Sequence, residues 1–344
     1  MDYWWLIPAL AGLSFCLTAV LRRYALSKSL LDIPNMRSSH SVPTPRGGGV
    51  AIVMSYLGGL TALSATGLIP ATVFIALTGA GALTAIIGFL DDHGHIAARW
   101  RLLAHFSAAA WAVWWLGGLP VVSVYGLQID MGWVGHLLAV IYLVWMLNLY
   151  NFMDGIDGIA GVEAVTVCAG GFLLYWVSNV AGQGWPLILL IAGVAGFLFW
   201  NFPPARIFMG DAGSGFLGIA LGVLSLQAAW ISSDLFWAWL ILLGVFIVDA
   251  TFTLLRRLLR GDKVYEAHRS HAYQFASRRF GRHLPITLAV AMINVFWLLP
   301  VALCMVLYRL DGAVALTVAY LPLIVLAFKY KAGEREDVPA QRTS

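Results

Sequence analysis

Asn148-Leu149-Tyr150-Asn151-Phe152-Met153-Asp154-Gly155-Ile156-Asp157-Gly158 gathers two amides, two carboxylates and two glycines in a chain that is 60% hydrophobic and only 11% charged. Apolar runs close in on both sides, at 133–150 and 159–178, each long enough for one membrane crossing. A carboxylate set against hydrocarbon is costly unless water, a metal or a partner receives it. Two of them in a short break between two apolar runs point to a functional polar site at a membrane edge, against the plainer reading of a short polar loop.

The same texture extends outward from this break. A mean hydropathy of +0.82, with 15 Trp and 35 Gly in 344 residues, excludes a soluble domain with one large core and implies a multi-span membrane protein. Apolar runs predict eleven transmembrane helices, at 3–22, 47–66, 71–90, 102–120, 133–150, 159–178, 185–201, 213–233, 235–255, 285–308 and 312–330. The fold class is therefore all-α and polytopic, one domain over 1–331 followed by a polar tail, 332–344, read as disordered. The first run has no basic segment before it and continues to Arg22-Arg23, which predicts a membrane helix, not a cleaved signal. Cys16, Cys168 and Cys304 lie inside apolar runs without paired spacing and read as packing residues. No internal repeat suggests a doubled transporter architecture.

Charge gives the orientation. The segments 22–46, 91–101, 151–158, 202–212, 256–284 and the tail from 329 hold 20 of the 21 Lys and Arg, and Arg309 alone falls on the other side. By the positive-inside rule these segments are cytoplasmic, with the N-terminus periplasmic and the C-terminus cytoplasmic.

Acidic residues mark the same face. Asp91-Asp92, Asp154 with Asp157, and Asp211 stand at the ends of different predicted helices. Carboxylates brought to one face suit a hard divalent cation, which needs only one or two protein ligands beside water and phosphate. Asp211 also stands where it would cap the next helix. Phe208, three residues earlier, suits an interfacial aromatic or a platform for stacking a base. His268 and His271 have an i, i+3 spacing open to zinc, but no cysteine lies near and the surrounding arginines, Arg269 among them, favour a polyanion. The loop from Arg37 to Gly49 ends in Arg46-Gly47-Gly48-Gly49, whose exposed backbone amides would receive a phosphate at the start of the second helix.

Five motifs occur in order: Pro43-Thr44-Pro45-Arg46-Gly47-Gly48-Gly49, Gly88-Phe89-Leu90-Asp91-Asp92, Asn151-Phe152-Met153-Asp154-Gly155-Ile156-Asp157-Gly158, Phe208-Met209-Gly210-Asp211-Ala212-Gly213-Ser214 and His268-Arg269-Ser270-His271. Together they resemble the polyprenyl-phosphate N-acetylhexosamine-1-phosphate transferases of glycosyltransferase family 4, over nearly the whole of 30–285. The likeness is greatest to the bacterial O-antigen initiators. The peptidoglycan member of that family differs in a lysine in the Asp-Asp loop, a His triplet and ten spans. The resemblance implies an Mg2+ ligand at Asp211, with Mn2+ as an alternative metal. It implies that Asp91 and Asp92 handle the polyprenyl phosphate, one as base, with His268 and His271 as further catalytic groups. Arg46, Arg101, Asn151, Asp154, Asp157, Phe208 and Arg269 would bind substrate, Asp157 near the uracil and Phe208 stacked on it. Ser270 replaces the middle member of the family's histidine cluster, and His93-Gly94-His95 offers no third carboxylate. Asp249 stands where relatives carry an acid and requires a partner.

The implied reaction transfers N-acetylhexosamine 1-phosphate from a UDP-sugar to undecaprenyl phosphate, with membrane lipid as the surroundings and no nucleic-acid partner. A homodimer is compatible with it. The implied location is the bacterial inner membrane, with the active site on its cytoplasmic face. The alternatives are the phospho-sugar-pentapeptide transferase of peptidoglycan synthesis and, from another class, a secondary transporter of an anionic substrate, which would place its ionisable residues near the midplane, whereas these gather at one face.

Overall fold

A computed structural model describes residues 3–34, 42–94, 96–262 and 268–335. His95, the loop positions 35–41, Tyr265 to Ala267 and the tail beyond 335 lie outside the described residues. Helices occupy all eleven predicted runs: α1 (Leu6–Ser27), α2 (Val50–Ser64), α3 (Ala71–His93), α4 (Ala98–Leu116), α5 (Gly132–Met153), α6 (Ile159–Val177), α7 (Trp185–Asn201), α8 (Asp211–Ile231), α9 (Ser233–Leu242) with α10 (Gly244–Leu259), α12 (Leu284–Ile293) with α13 (Leu299–Tyr308), and α14 (Gly312–Lys329). A short helix, α11 (Ala272–Phe280), lies between α10 and α12.

Among the described residues, eight helical segments are long and apolar enough to cross a membrane, or nine if the bent pair α9–α10 is one span. The chain is thus an all-α polytopic membrane protein, and three predicted runs differ in detail. The run expected at 235–255 bends by 68° at its break. α2 has only 15 residues, because the preceding Gly47–Gly49 are held outside the helix. α4 begins four residues earlier than predicted and draws Arg99 and Arg101 into its first turn.

α8 is the axis of the bundle, buried without a break from Ala212 to Ala229. Small residues let its neighbours approach: a methyl on Gly213 would meet Gly49 Cα at 2.6 Å, and one on Gly218 would meet Leu147 Cα of α5 at 2.7 Å. This seam fixes the ends of α5 and α8 and the glycine run before α2 against one another. Two antiparallel pairs sit at opposite ends of the bundle. β1 (Leu31–Asp32) pairs with β2 (Thr44–Pro45) beside the polar site, and β3 (Val122–Val124) pairs with β4 (Leu127–Ile129) between α4 and α5 at the far end.

The segment predicted as tail is packed at its start. Ala332 is fully buried, the Gly333 N–H donates to Ser270 O at 2.7 Å, and Arg256 holds Ala332 O at 3.0 Å and Glu334 at 2.9 Å. Residues 332–334 therefore pack against α10 and Ser270, where the start of the tail was expected.

Candidate active site

Asp91 and Asp92 close α3 but do different things, because adjacent helical residues point about 100° apart. Asp92 is 5% exposed, and its oxygens accept the N–H groups of Asp211 at 3.2 Å and Ala212 at 3.3 Å. It is the N-terminal cap of α8, where the preceding residue, Gly210, has no side chain to do this. Gly210 is at φ +78, and a methyl there would lie 2.7 Å from Asp92 Oδ2, so both backbone and packing require glycine. Arg46 Nη2 donates to the Asp92 carbonyl at 2.5 Å and ties the loop before α2 to the same corner. Asp91 instead accepts Ile96 N–H at 2.8 Å and pairs with Arg101, whose Nη1 lies 3.7 Å from Asp211 Oδ2. Asn151 Nδ2 donates to Asp211 Oδ1 at 3.1 Å.

These ends surround a cavity of about 290 Å³ lined by the predicted residues Arg46, Asp92, Asn151, Asp154, Asp157, Phe208 and Asp211. The 154–158 loop is pinned on three sides. Gly158 N–H donates to Asn201 Oδ1 at 3.0 Å, Thr287 Oγ1 donates to Asp157 O at 2.8 Å, and the Tyr273 hydroxyl donates to Phe152 O at 2.9 Å. Asp157 Oδ2 accepts Ala205 N–H at 3.0 Å, and Oδ1 lies 3.0 Å from His283 Nδ1. For Asp154, no donor among the described residues lies within hydrogen-bonding distance. Burial, and then the charges of Asp211, Asp92 and Asp157, push its carboxyl well above the ordinary range.

That surplus of carboxylate bears on the implied metal. Among the described residues, no three His, Cys, Asp or Glu side chains converge closely enough to cage an ion alone. Mg2+ does not need a cage, since one or two carboxylates, water and substrate phosphate complete its octahedron. Asp211 has Asn151 and Arg101 as neighbours and four other acids, Asp32, Asp92, Asp154 and Asp157, in the same cavity wall. The residues fit a cation there.

Several predicted groups take other places. Two amides of the glycine run are already taken: Gly48 N–H donates to Phe208 O at 2.9 Å and Gly49 N–H to Met209 O at 2.8 Å. The run is glycine because the backbone before α2 lies against that before α8. His268, Arg269 and His271 do not line the cavity. His271 is 3% exposed, with Nδ1 at 3.3 Å from Asp249 Oδ1, and its ring stacks on His268 at 4.9 Å between centroids. Asp249 also accepts the N–H groups of Ala272 at 2.9 Å and Tyr273 at 3.0 Å, so the acid that required a partner caps α11. This loop stands behind the cavity and reaches it through Gln274. Asp91 and Arg101 likewise lie outside the lining and act on it through Asp211.

Asp32, Asn201, Ser214, Gln274 and His283 are lining residues to which sequence reasoning assigned no role. Asn201 carried a signal: an amide between Trp200 and Phe202 needs partners, and it finds Gly158 N–H and Ile207 O, each at 3.0 Å. His283 follows Arg282 at the start of an apolar run and reads as a membrane anchor.

Apolar helices of spanning length around an acidic cavity at one end of the bundle define a polytopic membrane protein with the makings of an enzyme site. Residues 74–229 match the model of the glycosyl transferase family 4. Over 270 residues the chain is 32% identical to a probable undecaprenyl-phosphate N-acetylglucosaminyl 1-phosphate transferase of Bacillus subtilis, covering 75% of this chain and 72% of that one. It is 29% identical over 291 residues to the undecaprenyl-phosphate alpha-N-acetylglucosaminyl 1-phosphate transferase of Thermotoga maritima, covering 84% and 87%. It is 32% identical over 260 residues to a phospho-N-acetylmuramoyl-pentapeptide-transferase of Pelotomaculum thermopropionicum, covering 69% and 76%. The chain belongs to glycosyl transferase family 4, a family of polyprenyl-phosphate sugar-1-phosphate transferases.

Proposed function

We propose that this chain transfers N-acetylhexosamine 1-phosphate from a UDP-sugar to undecaprenyl phosphate at the cytoplasmic face of a bacterial inner membrane. UMP is released, and the undecaprenyl-diphospho-sugar initiates O-antigen or another cell-surface polysaccharide. The observation that carries this reading is the meeting in one cavity of Arg46, Phe208, Asn151 and the acids from the ends of α3, α5 and α8. A lipid phosphate oxygen forms a bond to the sugar-bearing phosphorus, the bond from that phosphorus to the bridging oxygen breaks, and its electron pair leaves on UMP. A phosphate monoester is largely ionised near neutrality, so the step needs charge neutralisation more than a strong base. Bound Mg2+, held by Asp211, would neutralise diphosphate charge.

The protein's own groups divide the remaining work. Asp92 holds the first turn of α8, and with it Asp211, in place. Asp91 sets Arg101 beside Asp211, and Arg46 brings a second cation to the cavity wall. Phe208 supplies an aromatic face for the base. The test is incubation of membranes containing the protein with labelled UDP-N-acetylsugar, undecaprenyl phosphate and Mg2+. UMP and labelled lipid form with the parent, and Asp211→Asn lowers the rate at least a hundredfold. Absence of both products, or an Asp211→Asn variant equal to the parent, refutes the assignment. Likeness to a pentapeptide transferase favours a second reading, in which the donor is a UDP-N-acetylmuramoyl peptide; including that donor in the panel decides between them.

A further inference from the structure

We propose that His283 is a positioning residue for the nucleotide-sugar donor, acting through Asp157. This rests on the transferase reading above and extends it to a residue that no motif of the sequence includes. His283 stands at the start of α12, far from the 154–158 loop in sequence, yet its Nδ1 lies 3.0 Å from Asp157 Oδ1 and 3.4 Å from the Asp157 N–H. With Nδ1 protonated the ring donates to the Asp157 carboxylate, and with Nδ1 unprotonated it accepts the Asp157 N–H, so in either state it fixes this residue.

The surroundings make this contact decisive for the shape of the site. A second cavity of about 450 Å³ adjoins the acidic one, and the two share Asp157, Phe208 and His283 in their walls. The partition between them is therefore built from the aromatic face and the His283–Asp157 pair. The second cavity is otherwise lined by Pro203, Pro204, Ala205, Arg282 and neighbouring chain. Asp157 is held at its other oxygen by Ala205 N–H, and at its carbonyl by Thr287 Oγ1, a fully buried hydroxyl one turn into α12. Removing the imidazole leaves one side of the carboxylate unrestrained and opens the partition. The acidic corner around Asp211 is untouched, because its partners come from α3, α4 and α5.

Such a residue sorts the two substrates. The donor must lie against the partition if it stacks on Phe208, whereas the lipid phosphate needs only the acidic corner. The experiment measures initial rates with purified parent, His283→Leu and His283→Gln, varying the UDP-sugar and undecaprenyl phosphate in turn. His283→Leu is expected to raise KM for the UDP-sugar at least tenfold and to leave KM for undecaprenyl phosphate within twofold. His283→Gln, which keeps an N–H donor, recovers at least half of that loss on a logarithmic scale. Equal changes in both KM values, a fall in kcat alone, an unaffected His283→Leu, or a glutamine variant no better than leucine overturns the proposal. If His283→Leu does not fold, as read by its elution from size-exclusion chromatography, Thr287→Val is measured in its place and must give the same donor-selective rise. A parent that makes no product refutes the transferase reading itself, a result distinct from all of these.

Discussion

Asp91 and Asp92 are the same residue twice in sequence and two different devices in space. One turns toward Arg101 and the other into the first turn of α8, where it meets two N–H groups that no side chain of α8 reaches. The sequence placed both at the site and left their division of labour open, because the rotation between neighbours matters only once α8 is docked. The same limit hid His283, whose partner lies 126 residues away. It also misdirected the glycine run, since glycine before a helix serves a phosphate or a close backbone contact equally well. Asp92→Ala strips both bonds from the cap and should cost on the order of 1–2 kcal/mol, the usual range for a lost cap. It should also lower transferase activity at least tenfold by releasing Asp211. Thermal unfolding of both variants in detergent checks this, because Asp91→Ala leaves the cap intact. An apparent Tm for Asp92→Ala no lower than that of Asp91→Ala would contradict the capping role.

Helices were the most legible level, since each apolar run is long and the intervening polar segments are short. The bend between α9 and α10 was not legible, because both halves are apolar and only their packing separates them. The β3–β4 hairpin was missed for the opposite reason: its strands have three residues each and carry no usable period. The segment leading into α11 gives this level its own prediction. Burial, then the nearby charges of His271 and Arg257, pull the His268 pKa down to about 3 from an ordinary value of 6.5. The folded loop therefore refuses a proton that the unfolded loop accepts below about pH 6.5. Stability present above that value is lost progressively as the pH falls toward about 3. Hydrogen exchange across α11, measured from pH 7 to pH 4 and corrected for intrinsic rates, should show protection falling on acidification. His268→Gln should flatten that dependence. A parent profile already flat, or one unchanged by the substitution, would remove His268 as its cause.

At the scale of the whole molecule, the site can meet a cytosolic nucleotide sugar only if the bundle sits in the membrane one way round. The cavity is built from the C-terminal ends of α3 and α5 and the N-terminal ends of α8 and α12, so all its walls belong to one end of the bundle. Arg99, at the start of α4, marks that same end, and Arg309, in the turn between α13 and α14, marks the other. Among the described residues, nearly all the Lys and Arg fall in the segments at the end marked by Arg99. Retaining them on the cytoplasmic side is the strongest orienting force a polytopic chain carries. Both markers are exposed, so both are open to labelling. In a background with Cys16, Cys168 and Cys304 replaced by serine or alanine, Arg309→Cys should react with a membrane-impermeant thiol reagent applied to spheroplasts. Arg99→Cys should react only after the membrane is opened. The reverse pattern would put the cavity on the side that holds no nucleotide sugars, and the donor assignment would fall with the topology even if the helices and every contact in the site were correct.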